Sequence, residues 1–563
     1  MSTPATLITT GMLPFLVLVS AGLTAPVSLA LLALYRRAIL ASMARTANET
    51  LRPPQPAAAS PPQFPLQIEL VDPAFVPATA ARREARRSLW IATAIYVAAG
   101  LVYALVLSGA WLYFTRNDGF VLARFLWLLS CYVWPVAMAV GLLVAVNGRQ
   151  RMAVAVAYFV MLMAVVSYGL YRNAELAVGQ LAFFWLYTNL PATLLLLVFL
   201  HRRVRAVGPL VLAFMVVAVT GSQLAVSALG SSEAAMRTLV DIGQRVGLGG
   251  HGLFFATMAL GAVLAGVLGW FWLKWLGRRH LARRSNDQGL TLDAMWLLFG
   301  VVQSITLSFE GWLWVFTGPV AFAAYKAVTR IGFAIARLDK AAGHPPSLLL
   351  LRVFALGARS EQLFDGLAKR WLRSGDISLI AGPDLATTTV EPHEFLDFVG
   401  GRLSRQFVHD AADLECRFRA RALGADSDGR HRVNEFFCHA DTWQPAMQRL
   451  AASADVVLMD LRSFSATNQG CRYEIGQLLN TVPLTRVVLL IDADANRGFL
   501  ESTLQMLWQT VSADSPNRSP GMSRLRMIAA QKPASLHLNP LLDLLYAAAA
   551  QLSCTGSAGT LDE

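Results

Sequence analysis

The hydropathy pattern of the chain changes along its length, from one typical of lipid surroundings to one typical of water. Its first roughly 340 residues contain nine stretches near the length of about 20 mostly apolar residues that a helix needs to cross a membrane. Beyond His344-Pro345-Pro346 the pattern becomes short apolar runs alternating with helical stretches. We therefore predict a helical membrane bundle followed by a water-soluble domain, so that recognition or chemistry in the second part takes place at a membrane surface.

The composition agrees with this division. Hydrophobic residues make up 55% of the 563 positions and charged residues 15%, and the mean hydropathy is +0.48. These values exclude an ordinary soluble protein, and the length predicts at least two folding units.

The predicted spans are 12–35, 89–114, 120–146, 152–171, 178–200, 209–229, 253–275, 292–309 and 312–333. Only Glu310 and Gly311 separate the last two, so both a tight hairpin and a re-entrant pair fit. The first stretch lacks the positive residues that precede a signal peptide's apolar core, and Arg36 and Arg37 follow it, so we interpret it as a retained span.

Arginine and lysine alternate between the connections. The basic connections are 36–87, 149–151, 202–205, 274–284 and 326–340, and those between them carry at most two arginines each. Since basic loops stay in the cytoplasm, this predicts an inner (plasma) membrane protein with its N-terminus outside and the soluble domain in the cytoplasm. Much of the net charge of +12 then comes from basic residues beside the spans, where they interact with anionic lipid headgroups. No nucleic-acid partner is expected.

The apolar stretches contain few polar residues. Asn189, Gln223 and Gln303 are expected to form hydrogen bonds between helices, and the small residues Gly261 and Gly269 indicate close helix packing. An ion-coupled carrier needs ionisable groups in mid-membrane, so a transporter with a regulatory tail is the least favoured reading.

We divide the chain into five segments: an anchor (1–36), a cytoplasmic Pro/Arg-rich linker (37–88), a transmembrane bundle (89–340), the soluble domain (347–552) and a disordered tail (553–563). The five cysteines have no spacing typical of a metal site, and we predict neither a bound metal nor a resident cofactor.

The soluble domain alternates strand and helix patterns. Its predicted strands are 348–354, 377–381, 433–438, 456–461, 487–491 and 525–528, each followed by a helical stretch. Uniformly apolar strands in this alternation predict a mostly parallel, doubly wound α/β sheet. Such sheets bind ligands at the carboxyl ends of their strands.

Charged residues occur at those strand ends. Asp384, Asp460 and Asp492 each follow an apolar strand, and Arg352 interrupts the first. They are expected to meet at one edge of the sheet, although acids after strands also commonly cap the next turn or helix. In the segment 453–479, a strand leads into a polar loop and a helix beginning near Asn468 that carries Glu474.

This segment resembles the Toll/interleukin-1 receptor (TIR) domain, in which a Cys-x-x-Glu pattern opens a helix after the strand and loop; here the pattern is Cys471 and Glu474. It is also similar to nucleoside deoxyribosyltransferase-like proteins through Ala454-Asp455, Gly470 and Gly476. The chain departs from the TIR pattern in three ways. Gly470 replaces the usual Trp, the first strand lacks the common Ser-Tyr pair, and the segment 392–443 is longer than the family needs.

The resemblance implies a flavodoxin-like domain in which Glu474 acts on an N-glycosidic bond, such as the nicotinamide–ribose bond of NAD as substrate. The resemblance gives Glu474 the catalytic role. From the positions at the strand ends and in the segment 453–479, we predict Asp460 as a second catalytic residue; the predicted ligand-binding residues are Arg352, Asp384, Arg462, Gly470 and Asp492. The resemblance further implies a signalling or effector role, a nucleotide ligand and a homo-oligomer. A non-catalytic membrane receptor or scaffold that docks protein partners is the alternative, because a fold shared with enzymes does not carry their activity.

Overall fold

The structure is a computed structural model. It describes residues 5–46, 62–114, 120–145, 148–173, 175–199, 207–230, 232–247, 249–283, 287–308, 312–340, 344–353, 358–382, 390, 392–493, 497–519, 521–530 and 538–556. The chain divides into two compact units. The helical unit comprises residues 1–35, 93–336 and 390–400, and the sheet unit comprises 36–92, 337–389 and 401–563.

Helices occupy all nine predicted spans. They are α1 (Ala5–Met43), α2 (Ala80–Phe114), α3 (Leu122–Tyr132), α4 (Trp134–Leu143), α5 (Gly148–Arg172), α6 (Val178–Phe199), α7 (Gly208–Gly230), α8 (Glu233–Val246), α9 (Gly250–Leu281), α10 (Asp287–Ser308) and α11 (Thr317–Ala336). Among the described residues, five segments are long and apolar enough to cross a membrane: Gly22–Met43, Ala80–Tyr113, Leu122–Leu143, Gly148–Arg172 and Gly250–Leu281. The chain is therefore a multi-pass membrane protein.

Small residues bring helices together, as the sequence predicts. A Cβ added to Gly261 of α9 would meet Gly221 and Ala225 of α7, and one added to Gly269 would meet Phe214. Asn189 donates to the Cys131 carbonyl at 3.1 Å, and Gln303 donates to the Thr188 carbonyl at 2.6 Å. These two amides join helices, which confirms the prediction for both. The side chain of Gln223 lies outside the described residues.

The last two predicted spans form an antiparallel pair. Gly300 of α10 faces Gly318 of α11, where an added Cβ would collide with the Gly300 backbone, and the Gly318 N–H donates to Ser304 Oγ at 2.8 Å. Farther along the pair, Lys326 Nζ lies 2.7 Å from Asp293 Oδ2. Lys326 is predicted to begin the last cytoplasmic connection, but in the structure it forms an ion pair with Asp293 of α10. A hydropathy profile does not reveal this pair.

The connection after the sixth predicted span contains a helix that the sequence analysis did not predict. Helix α8 begins after Ser232, whose side chain accepts the Ala235 N–H, and ends at Gly247 in the left-handed conformation. Its Val240 and Val246 side chains are exposed. Helix α12 (Ala358–Trp371) belongs to the sheet unit, whereas α13 (Pro392–Val399) belongs to the helical unit.

The sheet unit is an all-parallel α/β domain, as predicted. In its described part eight strands form one sheet: β1 (Gln67–Val71), β2 (Leu348–Arg352), β3 (Ile377–Ile380), β4 (Phe407–Val408), β5 (Val433–Cys438), β6 (Val456–Asp460), β7 (Val487–Asp492) and β8 (Arg524–Ala530). Its helices are α12 (Ala358–Trp371), α14 (Ala411–Arg419), α15 (Trp443–Ser453), α16 (Gln469–Thr481), α17 (Arg497–Trp508) and α18 (Leu538–Gly556). The central strands are buried because both faces are covered.

The order across the sheet is β1-β8-β7-β6-β2-β3-β5-β4. The strands β3, β2, β6, β7 and β8 keep the flavodoxin-like order 2-1-3-4-5. The long segment 392–443 adds β4 and β5 beyond β3, and with β5 counted the order becomes the 3-2-1-4-5-6 of dinucleotide-binding folds. In both readings the order reverses between β2 and β6.

Strand β1 comes from the segment that the sequence analysis treated as a linker. It pairs in parallel with β8, from Gln67 opposite Arg524 to Val71 opposite Ile528. The residues before it are also held, since Trp508 Nε1 donates to the Phe64 carbonyl at 2.9 Å. The segment therefore supplies an edge strand of the sheet.

Candidate functional site

The carboxyl ends of β2 and β6 meet where the strand order reverses. Arg352 ends β2 and lies opposite Asp460, the last residue of β6. Reversal of strand order leaves a crevice at this edge, which is where doubly wound sheets bind ligands. The register of the strands places these two residues next to each other.

Asp460 is engaged by Arg462. Its two carboxylate oxygens each accept from the Arg462 guanidinium at 2.7 Å, and the Arg462 N–H donates to Oδ1 at 3.2 Å. Both side chains are buried, and Arg462 also donates to the Arg359 carbonyl at 3.1 Å. A bidentate ion pair of this kind fixes the plane of the guanidinium group, so Asp460 orients Arg462.

Asp492, at the end of β7, is held by Arg359 of α12. The Arg359 guanidinium forms an ion pair with Asp492, and the Ser463 N–H donates to Asp492 Oδ2 at 2.9 Å. Ser463 has a φ of 62°, in the left-handed region that residues other than glycine adopt at some energetic cost. Arg359 was missed by the sequence analysis because nothing near it in sequence marks a partner 133 residues away.

Glu474 lies on α16, which begins after Asn468. Its side chain is only 4% exposed, and its Oε2 atom has no hydrogen-bond partner among the described residues. Burial raises the pKa of Glu474 to about 8, an effect that the nearby positive charge of Arg352 partly offsets. In this state the carboxyl is therefore mostly protonated at neutral pH.

Cys471 and Gly470 precede Glu474 on the same helix. The Cys471 thiol lies 4.0 Å from the Arg352 carbonyl oxygen, and burial followed by the negative charges of Glu474 and Asp460 raises its pKa to about 12. A thiol in this state is a poor nucleophile. A Cβ on Gly470 would meet no atom within 4 Å, so no close approach within the chain requires this glycine.

Four of the predicted site residues thus lie around one edge of the sheet: Arg352, Asp460, Arg462 and Glu474, with Asp492 on the adjoining strand. Arg352 is buried and donates to the Ile380 carbonyl at 3.4 Å. Asp384 lies outside the described residues. Asp460 and Asp492 are paired with arginines, whereas Glu474 Oε2 has no hydrogen-bond partner in the part of the chain that the structure describes.

Comparison with known proteins adds no relative. No protein-family model matches this chain, and neither a curated protein nor a solved structure is significantly similar to it.

Proposed function

We propose that the sheet unit is a cytoplasmic TIR-like domain that binds a nucleotide at the edge formed by β2 and β6 and hydrolyses its N-glycosidic bond. NAD or a related nucleotide is the substrate, and the helical unit holds the domain at the membrane for a signalling or effector role. The observation that carries the proposal is the buried carboxyl of Glu474, near Arg352 at the reversal of strand order. Its Oε2 atom has no hydrogen-bond partner among the residues that the structure describes.

The chemistry follows from charge. When the bond between C1′ of the ribose and the nicotinamide nitrogen breaks, its electron pair neutralises the pyridinium and leaves positive charge on the ribose. A carboxylate beside C1′ stabilises that charge, water adds to C1′, and the proton released passes to the carboxylate or to solvent. Since a bound cation favours the ionised form, the pyridinium itself would lower the pKa of Glu474 towards the anion that the reaction needs.

Arg462 and Arg352 have different tasks in this scheme. Asp460 holds the Arg462 guanidinium in place, and we assign Arg462 to a phosphate or ribose oxygen. Arg352 tunes Glu474 electrostatically. The TIR resemblance further suggests that self-association completes the site.

The test measures nicotinamide or free-base release from NAD, nucleotides and nucleosides by the full-length protein in membranes, with and without artificial clustering. Glu474→Gln keeps the shape of the side chain but removes the anion, so kcat should fall by about two orders of magnitude or more with little change in KM. Asp460→Asn should reduce activity less, because it loosens Arg462 only. Glu415→Gln on α14 is the matched control and should leave release unchanged. Release by Glu474→Gln equal to that of wild type would exclude this role.

A non-catalytic scaffold is the second candidate. It is favoured by the internal ion pairs of Asp460 with Arg462 and of Asp492 with Arg359, which are the arrangement expected if strand-end acids only stabilise the sheet. Absence of release from clustered wild-type protein across the whole panel would select this function.

A further inference from the structure

A cavity of about 620 Å³ lies within the sheet unit, at the edge of the sheet that β1 forms. Its walls come from β1, the start of β8, the segment 72–77 and helix α18. We name it the edge cavity. Its volume falls within the range of small-molecule sites, and none of its lining residues belongs to the site around Glu474.

The polar wall of the edge cavity centres on Arg526. Its Nη2 donates to the Thr485 carbonyl at 2.7 Å and to Gln551 Oε1 at 3.4 Å. Glu69 lies opposite Arg526 in the strand register but makes its ion pair, at 3.9 Å, with Arg524. In the described part of the chain, no carboxylate lies within ion-pair distance of Arg526, although the negative charge of Glu69 acts on it; the hydrogen bonds of this part-buried guanidinium go to neutral oxygens.

The lining of the edge cavity also contains apolar side chains. Val71, Val76 and Leu544 line it, together with Phe75 at 84% exposure. An aromatic ring that exposed gains stabilisation by covering an apolar ligand. The lining of the edge cavity thus combines apolar side chains with a guanidinium whose hydrogen bonds, among the described residues, go to neutral oxygens.

We propose that the edge cavity binds a small amphipathic anion, with its carboxylate or phosphate on Arg526 and its apolar body against Phe75 and Val76. A guanidinium is suited to both kinds of anion, because its donors match two oxygens at once. Glu69 and Asp72, at the same cavity, disfavour a ligand with a higher negative charge.

The edge cavity also borders the first turn of a membrane helix. Asp543, which lines it, accepts from the Thr79 N–H and Oγ1, each at 2.8 Å, and its other oxygen lies 3.0 Å from Arg82 Nε. Thr79 directly precedes α2, which contains a candidate span. Asp543 thus connects the lining of the edge cavity to the residue before α2. This inference does not depend on the function proposed for Glu474.

The experiment uses the full-length protein in lipid nanodiscs and fluorine NMR. The probes are 4-(trifluoromethyl)benzoate and 4-(trifluoromethyl)phenyl phosphate, with 4-(trifluoromethyl)benzyl alcohol as the neutral counterpart and empty nanodiscs as the lipid control. We expect saturable line broadening with at least one acid and about tenfold weaker binding of the alcohol, since only the acids offer Arg526 a hydrogen bond between two charged groups. Failure of both acids to saturate, or equal binding of the alcohol, would overturn the proposal.

Two variants test the assignment to the edge cavity. Arg526→Gln should weaken binding of the acid about tenfold or more, whereas Arg497→Gln on the surface of α17 should not. Because Arg526→Gln also disturbs a part-buried residue, Ala547→Trp serves as the second variant: it fills the cavity, keeps Arg526 and should abolish binding. Unchanged binding in both variants would exclude the edge cavity as the site.

Discussion

At the residue scale, Glu474 and the strand-end aspartates behave differently although all are acids at one edge. Asp460 and Asp492 form ion pairs with arginines, whereas Glu474 is buried and its Oε2 atom has no hydrogen-bond partner within the described ranges. Natural proteins satisfy nearly all buried polar atoms, so an exception at the reversal of strand order is more informative than the pairs around it. The cost of that exception is measurable.

Glu474→Gln should change stability in a pH-dependent way. The pKa of Glu474 is about 8 in the folded protein and close to 4.5 in the unfolded chain, so the folded state holds a proton that the unfolded state has lost between these values. The free energy of unfolding of the wild type therefore falls as pH rises from about 4.5 to about 8, by roughly 3–5 kcal/mol at most. The glutamine variant lacks this fall.

Thermal unfolding at pH 5 and pH 8.5 measures the effect. The variant should be close to wild type at pH 5 and more stable at pH 8.5. Glu415→Gln is the control, because Arg449 lowers the pKa of Glu415 and no gain at high pH is expected. An equal difference between Glu474→Gln and wild type at both pH values would contradict the buried, uncharged state.

At the scale of elements, packing explains what the sequence could and could not predict. The uniformly apolar strands β2, β6 and β7 were predictable because burial on both faces leaves a continuous apolar run. Strand β1 was not, since it has exposed residues on both faces and follows a proline-dense segment. Likewise Arg352 and Asp460 could be placed from strand ends, whereas Arg359 could not, because its partner depends on how distant elements meet.

Strand β1 should contribute to the stability of the sheet unit. We expect a fragment beginning at Ser347 to be soluble and to unfold cooperatively, and a peptide of residues 62–79 added in trans to raise its thermal midpoint by completing the β8 edge. The same peptide with Ile68→Asp is the control, because Ile68 packs against the core of the domain. Equal effects of the two peptides would show that β1 pairing is not the cause.

The pairing of α10 with α11 should depend on Gly318. Alanine is a better helix former than glycine by about 1 kcal/mol, so Gly109→Ala, where an added Cβ meets nothing within 4 Å, should be neutral or stabilising. Gly318→Ala should instead lower the thermal midpoint of the detergent-solubilised protein, because its Cβ collides with the Gly300 backbone. A rise in midpoint for both variants would contradict the close contact.

At the scale of the whole molecule, the chain joins membrane helices to a parallel-sheet domain through segments that belong to both units. Helix α2 begins in the sheet unit and continues in the helical unit, and residues 390–400 return to the helical unit from between two strands. Hydropathy predicted a membrane part and a water-soluble part, but not that the segments of the two units alternate along the chain. A hydropathy profile reports local composition and not which distant segments pack together.

The alternation of arginines predicts how the chain crosses the membrane. Reporter fusions after Gly148 and Ala342 should report the cytoplasm, and a fusion after Gly230 should report the outer side, because basic connections remain inside. The two cytoplasmic fusions serve as controls for each other. A periplasmic signal from the fusion after Ala342 would refute the cytoplasmic placement of the sheet unit, and with it access to cytoplasmic NAD.

The hydrogen bond from Trp508 to the Phe64 carbonyl joins residues 444 positions apart, and β1 pairs with a strand made still later. At about 5–20 residues per second, a ribosome needs roughly 20 to 90 seconds to synthesise the intervening chain. Throughout that time β1 has emerged without its partner, and helices enter the bilayer before the sheet can close. A prematurely terminated chain would keep its membrane helices yet lack β8, so the domain is complete only in molecules whose translation has nearly finished.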